Sequence, residues 1–232
     1  MTKLTFIIPV YNEIKTIEKL IKKILKLNIK KQIIIIDDGS NDGTERILRK
    51  YKNLLDKLII HKKNLGKGAA IKSGQKHVNG KYVAIQDADL EYDPNDLKKI
   101  INEMDKKNLK VMYGSRVLNK NTFQNTQNFT HILRIWGNIF LTIISNFFNS
   151  QKLTDAHTCY KVFNSRIFKK IKLKEKGFSF CPEITTKISL MNIDIEEFPI
   201  NYNGRTYNQG KKITAFDGLD ALYVLLKYRY FK

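Results

Sequence analysis

Acidic residues are scarce in this chain: 22 Asp and Glu stand against 42 Lys and Arg in 232 residues, a formal net charge of +20. Such an excess has two readings, the base composition of an AT-rich genome and attraction to a polyanion such as anionic lipid or a phosphorylated substrate. Cysteine is scarcer still. Cys159 and Cys181 are the only two, far apart and without C-x-x-C spacing. That speaks against a disulfide framework and a cysteine zinc site, and fits a reducing compartment. No internal repeat or low-complexity stretch is present. The start "MTKLTFIIPVYNE" lacks the apolar length and small-residue cleavage site of a signal peptide. The greasiest segment, residues 132–148, contains Arg134, Asn138 and Asn146. It falls short of the ~20 apolar residues of a spanning helix, so it reads as an amphipathic or buried helix.

What is present is a regular alternation. Apolar runs at 4–10, 32–38, 57–61, 81–87 and 110–116 are separated by helix-periodic stretches at 16–27, 44–55, 67–77 and 94–107. Strands apolar throughout and alternating with helices predict a parallel sheet covered on both faces. Ligands of such sheets sit beyond the carboxyl ends of the strands. The polar residues there are Tyr11-Asn12-Glu13, Asp37-Asp38-Gly39-Ser40 and Asp87-Ala88-Asp89. In the second of these loops, Ser40, Asp42 and Thr44 also suit helix capping. The stretch "NLGKGAAIKSG" (64–74) matches neither common glycine-rich phosphate motif, although a helix N-terminus can meet an anion through free N–H groups. The second half is less regular and shows no linker, so it reads as additions closing over the crevice. One domain spans 1–232, with a ligand-binding half at 1–118 and a second half at 119–232.

In "AIQDADLEYDP" (84–94), Asp87 and Asp89 lie two apart and face one side of an extended chain, and Glu91 can join them. Asp93 before Pro94 suits a helix start. Clustered carboxylates repel one another unless a cation neutralises them, and hard oxygen donors suit Mg²⁺ or Mn²⁺ completed by substrate phosphates. No His/Cys cluster of zinc spacing competes.

Taken in order, "IIPVYNE", "IIIDDGSNDGT", "NLGKGAAIKSG", "QDADLEYDP", "GSR", "TDAHTCYKVF", "PEITTKI" and "EFPINYNGRTYNQGKKITAFDGLDAL" resemble family 2 glycosyltransferases of the GT-A fold. The nearest subgroup is the dolichyl- or polyprenyl-phosphate mannosyl- or glucosyltransferases. The resemblance implies a Rossmann-like α/β fold with a mostly parallel sheet and C-terminal helical and loop additions. It implies inverting, metal-dependent transfer of a hexose from a GDP-mannose or UDP-glucose type donor to a polyprenyl phosphate. The alternatives are a hydroxyl acceptor on a glycan or lipid, and a non-catalytic nucleotide-sugar-binding protein.

Site residues follow motif by motif. Pro9, Tyr11, Glu13 and Asp37 would hold the nucleotide. Asp87 and Asp89 would bind metal and diphosphate, with Glu91 as the third metal ligand. Arg205 and Lys211 would close over the diphosphate. Arg116 and Arg134 would meet an acceptor phosphate. For a hydroxyl acceptor, Asp155 and Glu183 are the candidate bases. The expected location is the cytoplasm, with peripheral contact at the membrane face through 132–148 and 222–232, and no nucleic-acid partner.

Overall fold

The structure, a computed structural model, describes residues 2–119, 129–205 and 215–231, with backbone only for 129–134 and 215–216. Its strands are β1 (Leu4–Val10), β2 (Lys31–Asp37), β3 (Lys57–Ile60), β4 (Tyr82–Ile85), β5 (Val111–Ser115), β6 (Lys161–Asn164) and β7 (Glu196–Pro199). The helices are α1 (Ile17–Lys26), α2 (Thr44–Lys50), α3 (Lys67–Gln75), α4 (Pro94–Lys107), α5 (Phe129–Asn149), α6 (Ser165–Lys170), α7 (Phe180–Ser189) and α8 (Ala215–Tyr230).

The seven strands form one sheet in the order β3-β2-β1-β4-β6-β5-β7. Strands β1 to β4 pair in parallel, as do β5 and β7, whereas β6 runs antiparallel to both of its neighbours. The expected α/β class with a mostly parallel sheet is therefore borne out. The one reversed strand among the described residues comes from the second half, and it joins β5 to β4.

Alternation explains why the apolar runs read as continuous. Along β1, Leu4, Phe6 and Ile8 enter one core cluster and Ile7 the other. Along β2, Ile33 and Ile35 face one side while Ile34 and Ile36 face the opposite side. Helices α1 and α4 cover the first face with Ile17, Leu20, Ile21, Ile24, Leu97, Ile100, Ile101 and Met104. Helices α3, α6 and α7 cover the second with Ala70, Ile71, Phe168, Phe180, Ile184 and Ile188. Burying a large aliphatic side chain contributes about 1.5–3 kcal/mol, so these two layers hold the sheet rigid beneath its loops.

Local signals set several boundaries. Asp93 caps α4, its carboxylate accepting from the Asn95 N–H at 2.9 Å, and Pro94 takes the first turn where no N–H is needed. Helix α2 ends at Lys50, short of the expected 55, and a 3-10 turn over Lys52–Leu54 follows.

Candidate active site

The carboxyl ends of β1, β2 and β4 open into a cleft of about 350 Å³, lined among others by Pro9, Tyr11, Glu13, Asp38, Lys67, Asp87, Asp89, Glu91, Arg116, Tyr202 and Arg205. The first two loops are stitched together by side chains. Ser40 Oγ accepts from the Asn12 N–H (2.9 Å), Thr44 Oγ1 from that of Glu13 (3.0 Å) and Asp42 Oδ2 from that of Ile14 (3.1 Å). The residues read as helix caps instead hold the 12–14 loop, which presents Glu13 to the cleft, and the N-cap position of α2 is Gly43. Asp42 additionally accepts from the Thr44 N–H at the start of α2.

The two adjacent aspartates at the end of β2 have different surroundings. Asp37 is fully buried and accepts the Ser40 N–H at 3.1 Å, while its Oδ2 has no hydrogen-bond partner among the described residues. Burial raises its carboxyl above the usual range. Asp38, and not the expected Asp37, lines the cleft and organises its wall. It accepts from His61 Nδ1 (2.7 Å), the Leu65 N–H (3.0 Å) and the Gly66 N–H (2.7 Å).

The start of α3 does not offer the free N–H groups that its sequence suggests. Gly68 and Ala69 donate to the carbonyls of Gly177 and Lys176. Gly66 has φ +97°, and a Cβ there would lie 2.4 Å from the Lys176 carbonyl oxygen, so only glycine fits. The cationic group at this helix end is the Lys67 side chain, ion-paired with Asp87. Glu183 acts on the same wall from behind. Its carboxylate accepts from the Lys174 and Glu175 N–H groups and pairs with Lys187, and it does not line the cleft.

Strand β4 stops at Ile85, so the acidic residues lie on a turn and not on an extended strand. Leu90 adopts φ +63°, a left-handed conformation costly for a branched side chain. The turn lets Asp89 Oδ1 accept from the Glu91 N–H at 3.1 Å. Glu91 then fastens the 202–205 segment, accepting from the Tyr202 hydroxyl (2.9 Å) and the Arg205 N–H (2.7 Å). The Arg205 guanidinium bonds both Glu13 oxygens at 3.1 Å and Asp89 Oδ2 at 3.2 Å. Burial, with Asp87 and then Glu91 as negative neighbours, pushes Asp89 up to about 7 despite Arg205.

These residues fit a hard divalent cation in chemistry, since carboxylates are its preferred donors and Asp89 has more negative surroundings than Arg205 offsets. The expected three-ligand set is not formed, however. Among the described residues no three His, Cys, Asp or Glu side chains are grouped around one point, and Glu91 is engaged with Tyr202 and Arg205.

Across the cleft, Arg116 is clamped by Asp155, with Nε to Oδ2 at 2.6 Å and an Nη2 bond to Oδ1 at 2.7 Å. Asn138 of α5 donates to Asp155 at 3.1 Å, and Glu197 of β7 holds the Asp155 N–H at 2.9 Å. Asp155 is fully buried, and its burial cost is outweighed by Arg116, which leaves its carboxyl below the usual range. The guanidinium lies over the Tyr202 ring at 5.2 Å. Arg134 is within α5, but its side chain lies outside the described part, and Lys211 lies outside the described residues.

His157 lines the cleft near Arg116. Burial and then the Lys161 charge lower its imidazole to about 4, with Asp155 opposing and Arg116 reinforcing. The unfolded chain therefore takes up this proton near pH 6.5 and the folded chain does not until about 4. Stability is fully present above about 6.5 and is lost as pH falls towards 4, by up to a few kcal/mol. Urea unfolding at pH 7 and pH 5 should show this loss, and His157→Asn should reduce it.

Comparison with known proteins agrees with the geometry. The family model for glycosyl transferase family 2 matches residues 5–172. The chain belongs to that family and is a glycosyltransferase. It is 27% identical over 239 residues to the UDP-N-acetylglucosamine–dolichyl-phosphate N-acetylglucosaminyltransferase of Methanococcus voltae, covering 95% of this chain and 93% of that protein. It is 25% identical to the dodecaprenyl-phosphate galacturonate synthase of Rhizobium johnstonii, over 98% of this chain and 68% of the relative. In structure it is similar to glucosyl-3-phosphoglycerate synthase of Mycobacterium tuberculosis, with TM-score 0.72, 13% identity and coverage of 98% and 80%. That likeness shows the GT-A fold.

Proposed function

We propose that this enzyme transfers a hexose, with inversion, from a nucleoside diphosphate sugar to a polyprenyl phosphate. The observation that carries the acceptor assignment is the state of the two candidate bases. Asp155 spends both oxygens on Arg116 and Asn138, and Glu183 spends its carboxylate on backbone N–H groups behind the cleft. A hydroxyl acceptor needs a free base, whereas a phosphate arrives already deprotonated. Arg116, held rigid over Tyr202, is a guanidinium suited to receive it. The names of the relatives, which specify dolichyl or dodecaprenyl phosphate, support the same reading.

In the donor half, Pro9 and Tyr11 flank the nucleotide, and Asp37, buried behind the cleft lining, braces the loop beneath it through the Ser40 N–H. Asp87 and Asp89 would hold Mg²⁺ or Mn²⁺, which would supply charge stabilisation to the diphosphate leaving group. Arg205 moves from the carboxylates to the phosphate oxygens as the donor enters, and Lys211 is the second cation assigned to those oxygens. An acceptor phosphate oxygen attacks the anomeric carbon, and the bond to the diphosphate breaks on the opposite face. The leaving diphosphate takes the electron pair, and no proton needs to be removed. The test is transfer of labelled sugar from UDP- or GDP-sugars to a phosphorylated polyprenol. Product only with the dephosphorylated alcohol would overturn the acceptor assignment.

The enzyme meets that lipid at a membrane surface; among the described residues no helix is long and apolar enough to cross a membrane. Trp136, Phe140, Ile143 and Phe147 recur at helical spacing on α5 with exposures of 61–79%. Leu219, Tyr223, Tyr230 and Phe231, at the packed neighbour α8 and its end, are exposed to a similar degree. Such a stripe suits a bilayer surface, and the net charge of +20 favours anionic headgroups. Phe140→Ser with Phe147→Ser should reduce co-sedimentation with phosphatidylserine-containing vesicles several-fold. Binding unchanged by the pair would remove α5 from the contact.

A further inference from the structure

Residues 174–178 run between α8 and the start of α3, and they are fastened on both sides. On the α8 side, the Glu175 carboxylate accepts from the Lys227 ammonium at 2.8 Å and from the Tyr228 hydroxyl at 2.7 Å. Burial would raise the Glu175 carboxyl, but those two bonds outweigh it and leave it below the usual range. On the α3 side, the Lys176 and Gly177 carbonyls accept from the Ala69 and Gly68 N–H groups at 3.1 and 3.3 Å. The approach is close: a Cβ on Gly68 would lie 2.3 Å from the Glu175 carbonyl oxygen. Gly177 and Phe178 then line the cleft. The rings of Phe178 and Phe180 each lie 5.8 Å from the Lys67 ammonium that pairs with Asp87.

We propose that Glu175 is a positioning residue for the donor site, acting through residues 176–178 to hold the start of α3 and the Lys67–Asp87 pair in place. This rests on the donor-site reading given above. Glu175 does not line the cleft, so it acts on the donor only through its neighbours. The first N–H groups of a helix have no partner within it. Here two of them depend on the carbonyls of residues 176 and 177, which serve only while that segment cannot swing away.

Two carboxylates prevent the swing from different directions. Glu183 holds the Lys174 and Glu175 N–H groups from α7, and the Glu175 side chain ties the segment to α8, which packs on α7. Charge-assisted bonds of this kind are about twice as strong as neutral ones. With the α8 tie removed, only Glu183 restrains the segment. The Gly68 and Ala69 N–H groups then open to water, and Phe178 leaves the cleft wall beside Lys67. Helix α8 also carries Leu219 and Tyr223 on its exposed side, so one segment links the face assigned to the bilayer with the donor wall.

The experiment measures amide hydrogen exchange and nucleotide binding on the full chain, wild type against Glu175→Ala. Exchange at Gly68 and Ala69 should be at least about tenfold faster in the variant, with the amides of β1 and β2 unchanged. Whichever of UDP and GDP binds the wild type with Mn²⁺ should bind about tenfold more weakly, as expected for a lost charge-assisted hydrogen bond. Glu175→Gln keeps an oxygen for the Tyr228 hydroxyl and should recover most of both effects. Tyr228→Phe, a milder change should Glu175→Ala fail to fold, should move both readouts in the same direction by a smaller factor. Wild-type exchange at Gly68 and Ala69, or faster exchange there with nucleotide affinity unchanged, would overturn the proposal. So would exchange that rises equally in β1 and β2, which marks a general stabiliser. Should neither nucleotide bind the wild type, the donor-site reading itself falls, and exchange at Gly68 and Ala69 still decides whether Glu175 holds the start of α3.

Discussion

Replacing Asp89 by asparagine is expected to lower sugar transfer by about 100- to 1,000-fold while raising the thermal stability of the ligand-free enzyme. The opposite signs come from one environment. In the proposed mechanism the carboxylate would hold the cation that meets charge developing on the diphosphate, and losing one such preorganised contact costs about 3–4 kcal/mol of transition-state stabilisation. In the resting protein the same carboxylate is a liability. Burial, Asp87 and Glu91 raise it to about 7 from an ordinary value of 3.8. Between those two values the folded state keeps a proton that the unfolded state has released, so stability falls as pH rises through this window. Asparagine carries no such penalty. Melting curves at pH 8 without metal or nucleotide should therefore place Asp89→Asn above wild type, and a lower midpoint would mean that the Arg205 contact outweighs the repulsion.

The second large effect is structural. Arg116→Met should lower the melting temperature by about 10 °C, because removing one partner of a buried ion pair costs about 3–5 kcal/mol. Asp155 would be left fully buried with only Asn138 and backbone N–H contacts. The loss should be recovered in part by Asp155→Leu in the same chain, since exchanging both charges for apolar groups removes the unpaired carboxylate. A midpoint for Arg116→Met within about 2 °C of wild type would show that Asp155 does not depend on the pair. Transfer to the phosphorylated acceptor should fall in the single and the double variant alike, because both lack the guanidinium.

What was legible in the sequence follows from how local the determinants are. Strands β1, β2 and β4 are buried on both faces and read as unbroken apolar runs, so their loops could be placed on one edge without further information. Strand β6 is four residues long and begins with a buried lysine, whose ammonium donates to the Ala156 carbonyl at 2.8 Å and sits 3.7 Å from the centre of the Tyr113 ring. Nothing within four residues announces an inserted antiparallel strand. Strand β7 carries two glutamates, one of them needed to hold the Asp155 loop, and so it does not look like a strand.

The acidic residues were legible as a cluster, but their partners were not. Arg205 reaches Glu13 across 192 positions, and Lys67 reaches Cys159 across 92. Such pairs are made by the fold and leave no periodic trace. The choice between Asp37 and Asp38 was likewise beyond the sequence, since adjacent residues point to opposite sides and register alone decides which one lines the cleft. Glu183 was read as a candidate base from its motif position, and the structure places it behind the wall as a brace for residues 174–175.

The central claim is that Asp87 and Asp89 bind a nucleoside diphosphate sugar through a divalent cation. Isothermal titration of UDP and GDP into the protein, with and without Mn²⁺, tests it most directly. One of the two nucleotides should bind at least about 100-fold more tightly with Mn²⁺ than without it, and Asp89→Asn should abolish the difference. Equal affinity with and without the ion, or a Mn²⁺ effect that survives Asp89→Asn, would contradict the account.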